Sequence, residues 1–552
     1  MYRESRFSVA PSEMSSTTGH GHEKQMAPTT NTVPPYLWDS KDPDLDDPLH
    51  NPDPIRDAAL DRNFSFWSSR GWMNATLLLS LGVGLIFLFA GYPIIAFLNR
   101  TTLKPPGFNL GGINGSGQVP FFSNFPSLID ADTPRDAMTK TGNDGNTYDL
   151  VFSDEFNQDG RSFYPGDDPF WEAVNLHYWA TGDLEWYDPS AVTTSDGKLV
   201  ITMTETPINN LNFKSGMLAS WNKFCFTTGI VEVSVSLPGD GQTAGYWPAA
   251  WTMGNLGRAG YGATTEGLWP YTYDSCDVGT YPNQTDAQGN PKLVQTGGIG
   301  GQPLSFLPGQ RLSSCTCPNS DHPGPSTSIG RNAPEIDIFE AQYDVFNRVP
   351  EVSQSFQVAP YNYQYKYNNA SPPTTIFDNT VTTLNTYTGG VYQQAVSAVS
   401  KIDSSNFGGN GYANYGFEWW SDPKHRDQGY ITWMSEDKPT WQIVPDSLEG
   451  DQTSGISNRI ISEEPHYLIM NLGMSPSFQQ QDFKNMKFPA AMYIDYVRVY
   501  QREGTRNIGC DPKDYPTADY INNHLNAYMN ANLTTWDQAG YTFPRNSKYD
   551  GC

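Results

Sequence analysis

Basic residues are scarce in this chain. Against 59 Asp and Glu stand only 34 Lys and Arg, leaving a formal charge of −25 over 552 residues. Phosphate binding needs clustered cations, so this balance argues against a nucleic-acid partner. Cysteine is sparse too: there are six, none before position 225. "CTC" at 315–317 is followed by no second pair and no His cluster, so zinc spacing is missing. No phosphate-binding loop, no dinucleotide fingerprint after a strand and no serine-hydrolase elbow is present, and "GGINGSG" reads as linker. These absences leave no metal or cofactor to expect.

Long apolar runs are missing as well, with one exception. "ATLLLSLGVGLIFLFAGYPIIAFL" (75–98) carries no charge over 24 residues, and about 20 suffice to cross a bilayer. It starts too far into the chain for a cleaved signal peptide. Arg56, Arg62 and Arg70 precede it, and Arg100 and Lys104 follow, a bias that favours a cytoplasmic N-terminus. All six cysteines lie beyond it, as do sequons at Asn114, Asn283, Asn369 and Asn532. Sequons at Asn63 and Asn74 fall on the other side. An even cysteine count in one compartment fits disulfides in an oxidising lumen or outside the cell, with 15 pairings open. The predicted organisation is a disordered cytoplasmic tail (1–72), a membrane helix (73–98), a lumenal stem (99–146), a β region (147–503) and a Cys-bracketed extension (504–552).

Glycine (50), proline (42) and aromatics (13%) are plentiful. From 148 onward short alternating runs recur between turn signals: "GKLVITMTE", "GIVEVSVSLPG", "GYITWM", "AMYIDYVRVYQ". Many short strands with little helical periodicity predict an all-β, two-sheet antiparallel sandwich. In the last run, strict alternation puts Met492, Ile494, Tyr496 and Arg498 on one face. Tyr493, Asp495, Val497 and Val499 then take the other. "PTADYINNHLNAYMN" (516–530) reads as a helix capped by Thr517.

"EIDIFE" (335–340) concentrates three carboxylates on a β-prone run. Glu335 and Asp337 share a strand face. Glu340 joins them only through one inserted residue, which is what a β-bulge supplies. Retaining glycosidases use two carboxyl groups about 5–5.5 Å apart and inverting ones about 6.5–9.5 Å. Crowding raises at least one pKa, which sets a proton donor beside an ionised nucleophile. A solvated acidic strand face is the competing interpretation.

The same run resembles the active-site strand of glycoside hydrolase family 16, the laminarinase-like β-jelly rolls. "LVFSDEFN", "GDGQTAGYWPAAWTMG", "YGFEWW", "HYLIMNLGMS" and "YIDYVRVYQ" match it in order. With the tail and the span, the layout is similar to the fungal family of β-glucan synthesis-associated membrane proteins. "DLEWYDPSAVTTSDGKLVITMTE" and "GRAGYGATTEGLWPYTYDSCDVGTYPNQ" are typical of that family. The resemblance implies a jelly roll in the secretory pathway or at the plasma membrane, acting on wall β-1,6-glucan synthesis with β-glucan chains as partner. It implies Glu335 as nucleophile, Asp337 as its helper and Glu340 as general acid/base. It places Trp247 and Trp251 in a sugar cleft, with Trp269, Tyr271 and Trp419 as further candidates; Trp251 reads equally as core. The sequence departs from the hydrolase pattern at Ser234 and Met217, where arginine is usual. "VSQSFQVAPY" also lacks a histidine, and about 60 residues (268–332) are inserted before the acids. The expectation is a membrane-anchored retaining glycosidase or transglycosylase, against the alternative of a non-catalytic glucan-binding scaffold.

Overall fold

The computed structural model describes residues 54–61, 68–92, 94–95 and 127–552. The chain separates into two compact units, 1–100 and 101–552. In the first, a helix over Ser69–Ile86 continues into a wider turn over Phe87–Gly91. Ser68 caps it, its hydroxyl accepting from the Gly71 amide at 3.0 Å. Gly71–Gly91 is long and apolar enough to cross a membrane, and its leucines are exposed among the described residues. Most of the 1–72 tail, the first part of the stem and Asn114 lie outside the described residues. Within the tail, Pro54–Asp61 is helical. Pro54 occupies the first helical position, where its missing N–H costs nothing.

The second unit is a sandwich of two antiparallel sheets, curled as a jelly roll. One sheet runs in the order Thr139–Thr141, Thr147–Asp154, Ala490–Arg502, Gly229–Ser236, Ala413–Trp420, Tyr430–Ser435, Lys438–Ile443, Thr374–Ile376. The other runs Thr382–Leu384, Gln394–Lys401, Val349–Val358, Glu335–Asp344, Trp247–Gly254, His466–Gly473, Met217–Ala219, Glu172–Ala173. Between them lies one core, to which the first sheet gives Val231, Val233 and Val235 and the second gives Ile336, Ile338, Phe339 and Phe356. Thr139–Thr141 pairs with Thr147–Asp154, so the fold begins inside the predicted 99–146 stem.

Strict alternation fails in Ala490–Arg502. Its pairing with Gly229–Ser236 shifts between Ile494 and Tyr496. Met492, Ile494, Val497 and Val499 therefore all reach the core. One extra residue, Asp495, reverses the facing of everything after it. The predicted 516–530 helix is two short pieces, Ala518–Asn523 and Leu525–Tyr528, separated at His524. Thr517 precedes the first, but its hydroxyl makes no cap bond. It donates to the Cys510 carbonyl instead, at 2.6 Å.

Three disulfides resolve the open pairing: Cys225–Cys510, Cys276–Cys315 and Cys317–Cys552. The first ties the C-terminal extension to the loop after Met217–Ala219, the second closes a loop within the 268–332 insertion, and the third joins the insertion to the extension. A separate apolar cluster forms there, away from the inter-sheet core. It joins Trp251, Met253, Tyr467 and Ile469 of the sheet to Tyr520, Ile521, Tyr528 and Trp536 of the extension. Asn283, Asn369 and Asn532 are exposed.

Candidate active site

The acids lie on Glu335–Asp344, a central strand of the second sheet. Asp337 pairs with Ser355 and Glu340 with Ser353, so two residues, Ile338 and Phe339, oppose Gln354 alone. The other neighbour shows the same offset, with Trp251 opposite Asp337 and Ala250 opposite Phe339. This bulge returns Glu340 to the face that carries Glu335 and Asp337. It also drives both Ile338 and Phe339 into the core. Side chains of the surrounding strands satisfy its carbonyls: Trp433 Nε1 donates to Asp337 O at 2.8 Å, and Gln354 Nε2 to Ile338 O at 2.9 Å.

Each acid receives an N–H donor from a neighbouring side chain. Trp269 Nε1 donates to Glu335 Oε2 at 2.7 Å. Gln357 Nε2 reaches Asp337 Oδ2 at 3.1 Å, and Trp247 Nε1 reaches Glu340 Oε1 at 3.0 Å. Desolvation pushes all three carboxyl groups up. Glu335 rises to about 8, the Trp269 bond opposing the shift and the Glu340 charge adding to it. Glu340 rises to about 8 through burial and the Asp337 charge, with the Trp247 bond opposing. Asp337 is raised by burial and then by the neighbouring Glu335 carboxylate, to which its carboxyl group donates. A carboxyl group kept neutral in this way donates to its neighbour. Asp337 therefore holds the proton, and Glu335 is its acceptor.

The aromatic candidates divide. Trp247 and Trp269 are half-buried and touch the acids. Trp247 also stacks on Phe478, centroids 4.4 Å apart and planes 2° apart. Trp251 faces the same side as Asp337 but is 8% exposed, and its indole is spent on Asn471 Oδ1 at 2.8 Å. Trp419 is corrected: it is 0% exposed in the inter-sheet core and donates to Ser462 O at 3.0 Å. Tyr271 is corrected likewise, since it is 0% exposed in the insertion's own cluster with Tyr273, Leu304 and Tyr361. Both corrections have one cause. An aromatic residue in a β run suits a core and a cleft equally, and only the facing decides.

Of the departures from the hydrolase pattern, Ser234 lies on the other sheet, opposite Tyr496 and Asn414, and leaves the acids untouched. Met217 pairs with Asn471 and is buried in the floor beside Trp251. Where histidine was absent, Gln357 supplies the donor to Asp337.

Sequence reasoning missed a second acid pair. Asp183 and Glu185 are both buried, and burial pushes both carboxyl groups up, Glu185 also through the Asp183 charge. Tyr187 donates to Asp183 Oδ2 and accepts from Asn471 Nδ2, each at 3.1 Å. Asn471 in turn holds Trp251, so a chain of hydrogen bonds runs from this pair to the floor of the site. "DLEWY" gave no signal, because Asp183 and Tyr187 meet Asn471 only through the fold.

The family model for beta-glucan synthesis-associated protein SKN1/KRE6/Sbg1 matches residues 36–552. Beta-glucan synthesis-associated protein KRE6 of Saccharomyces cerevisiae is 44% identical over 524 residues, which cover 93% of this chain and 69% of that protein. SKN1 of the same yeast is 42% identical over 571 residues, covering 99% and 71%. Among solved structures, the endo-beta-1,3-glucanase of Pyrococcus furiosus superposes with a TM-score of 0.39 at 17% identity, over 67% of this chain and 99% of that one.

Proposed function

The chain belongs to the SKN1/KRE6/Sbg1 family of beta-glucan synthesis-associated proteins, and from that premise we propose that it is a membrane-anchored retaining glycosidase or transglycosylase acting on β-glucan. One observation carries the reading: a bulge gathers three carboxyl groups on one sheet face, Asp337 buried and Glu335 and Glu340 half-buried, and gives each its own donor. A solvated acidic face has no need of burial or of indole partners.

Asp337 keeps a proton and donates to Glu335, which leaves the Glu335 carboxylate free to attack the anomeric carbon. The Glu340 carboxylic acid protonates the departing glycosidic oxygen as that bond breaks. The product is a glycosyl ester on Glu335. Glu340, now ionised, takes a proton from an incoming hydroxyl, whose oxygen attacks the same carbon and releases Glu335. Water in that role gives hydrolysis, and a sugar hydroxyl gives a longer chain. A role in building wall β-1,6-glucan favours the sugar. The helix at Gly71–Gly91 would anchor the enzyme, with the acids on the lumenal or outer face where the three disulfides are stable.

One observation favours the scaffold alternative: the floor beside the acids, from Trp251 through Ile469 to Met217, is buried under other parts of the chain. The test uses the full chain in detergent with β-1,3- and β-1,6-linked oligosaccharides, with and without labelled acceptor, read by product mass. Longer products are expected, reduced at least about a hundredfold in Glu335→Gln and in Glu340→Gln. Binding without turnover in the unaltered chain would leave the scaffold instead.

A further inference from the structure

A loop bonded to Ser353, the ladder neighbour of Glu340, carries exposed aromatic rings that the chemistry above does not use. Tyr387 and Tyr392 are each 54% exposed and Phe306 47%. Phe306 belongs to the insertion, whereas Tyr387 and Tyr392 come from the loop before Gln394–Lys401. The two segments are tied together, the Phe306 amide donating to Val391 O at 2.7 Å. The Phe306 and Tyr392 rings meet edge to face, 6.2 Å between centroids.

A continuous set of bonds fixes this loop to the floor of the site. Ser353, opposite Glu340 in the ladder, contacts Ser397 Oγ at 3.0 Å. Asn385 Nδ2 donates to Ser397 Oγ at 3.2 Å, and the Tyr387 amide donates to Asn385 Oδ1 at 3.0 Å. Partial desolvation, and after it the Glu340 charge, push the Tyr387 phenol up, so the two groups lie within electrostatic reach of each other.

The chemistry of the surround is as specific as its position. Residues 293–310 and 379–400 contain no Asp, Glu, Lys, Arg or His, in a chain that is 17% charged. An ionic partner would find nothing to pair with there. Flat rings carrying hydroxyl groups in an uncharged setting match the apolar faces and hydroxyl edges of a neutral pyranose chain.

We propose that Phe306, Tyr387 and Tyr392 form a stacking platform for a second β-glucan chain, the acceptor, whose hydroxyl Glu340 deprotonates. This rests on the proposed function for the word acceptor, but not for the binding itself. It also gives the insertion a role: it supplies one ring of the platform and the strap that holds the loop.

The experiment separates binding from turnover. Full-length Glu335→Gln protein in detergent is titrated calorimetrically with β-1,3- and β-1,6-linked glucan oligosaccharides. Phe306→Ala and Tyr392→Ala are then added, singly and together. Near-UV circular dichroism checks that each variant keeps its fold. About tenfold weaker binding is expected for the double variant, with Tyr392→Phe restoring the affinity. With Glu335 intact, the same pair should lower the ratio of transfer to hydrolysis. Unchanged affinity in the double variant overturns the platform, even if turnover is seen. So does an affinity lost equally in Tyr392→Phe and Tyr392→Ala, because stacking needs only the ring. Failure of every glucan to bind also overturns it and leaves a protein segment as the occupant. Ring-dependent binding without turnover in the unaltered chain keeps the platform and sinks only the catalytic reading.

Discussion

At the scale of single residues, the site depends on which donor each carboxyl group meets. Glu335 and Glu340 are both pushed up by burial, and each is pulled partly back by an indole. The proposed mechanism needs Glu335 ionised and Glu340 protonated. The acid limb of the rate profile therefore follows Glu335 and the alkaline limb follows Glu340. Trp269→Phe removes the bond that favours ionised Glu335, so the acid limb should move to higher pH. Trp247→Phe does the same for Glu340, so the alkaline limb should move to higher pH and the acid limb much less. Steady-state rates from pH 4 to 10 check both. If either variant moves both limbs equally, the two indoles are not specific to their acids. Carboxylates in "EIDIFE" were visible in the sequence. Gln357 was not, because an amide in a β run signals nothing until the ladder sets it beside Asp337.

At the scale of the strand, the bulge is the device that makes a site. Without it Phe339 would face the sugar and Glu340 the core. Gln354 holds the bulge in place. It donates to Ile338 O and Met434 O at 2.9 and 3.0 Å and accepts from Thr440 Oγ1 at 2.7 Å. Gln354→Leu strands these groups in the core. It should cost about 3 kcal/mol and lower turnover as well, because the register of Glu340 relaxes. Urea unfolding and rates measured on the folded fraction separate the two effects. The acid bulge was legible because the carboxylates themselves betray it: three acids at i, i+2 and i+5 share a face only if one residue is extra. The bulge at Asp495 carries no such marker. Strict alternation therefore misassigned Val497 and Val499.

At the scale of the whole unit, the insertion and the C-terminal extension convert an open sheet face into a walled one. Arg311 shows how they are bound together. Its guanidinium lies 3.8 Å from the Trp536 ring centroid and donates to the carbonyls of Ala263, Thr264 and Glu266. Cys317–Cys552 closes the extension over a sequence separation of 235. Replacing both cysteines by serine should destabilise the unit by about 4 kcal/mol. It should also expose 511–552 to proteolysis before the sandwich unfolds. A single cooperative loss of both, in a protease time course followed by mass, would show that the extension is integral to the core and not a fastened cover.

Some properties followed from the chain alone. Periodicity and turn signals are local, so the all-β class, the long apolar helix and the acid run with its extra residue could all be read without coordinates. Other properties depend on which distant segments meet. The disulfide pairing, the separation of Trp247 and Trp269 from Trp419 and Tyr271, the tie from Asp183 through Tyr187 to Asn471 and the walled floor all arise from contacts between residues tens to hundreds of positions apart. A β-sheet brings such residues together by hydrogen-bonding backbones whose pattern is the same for every sequence. The side chains therefore record that they will be buried, but not against what.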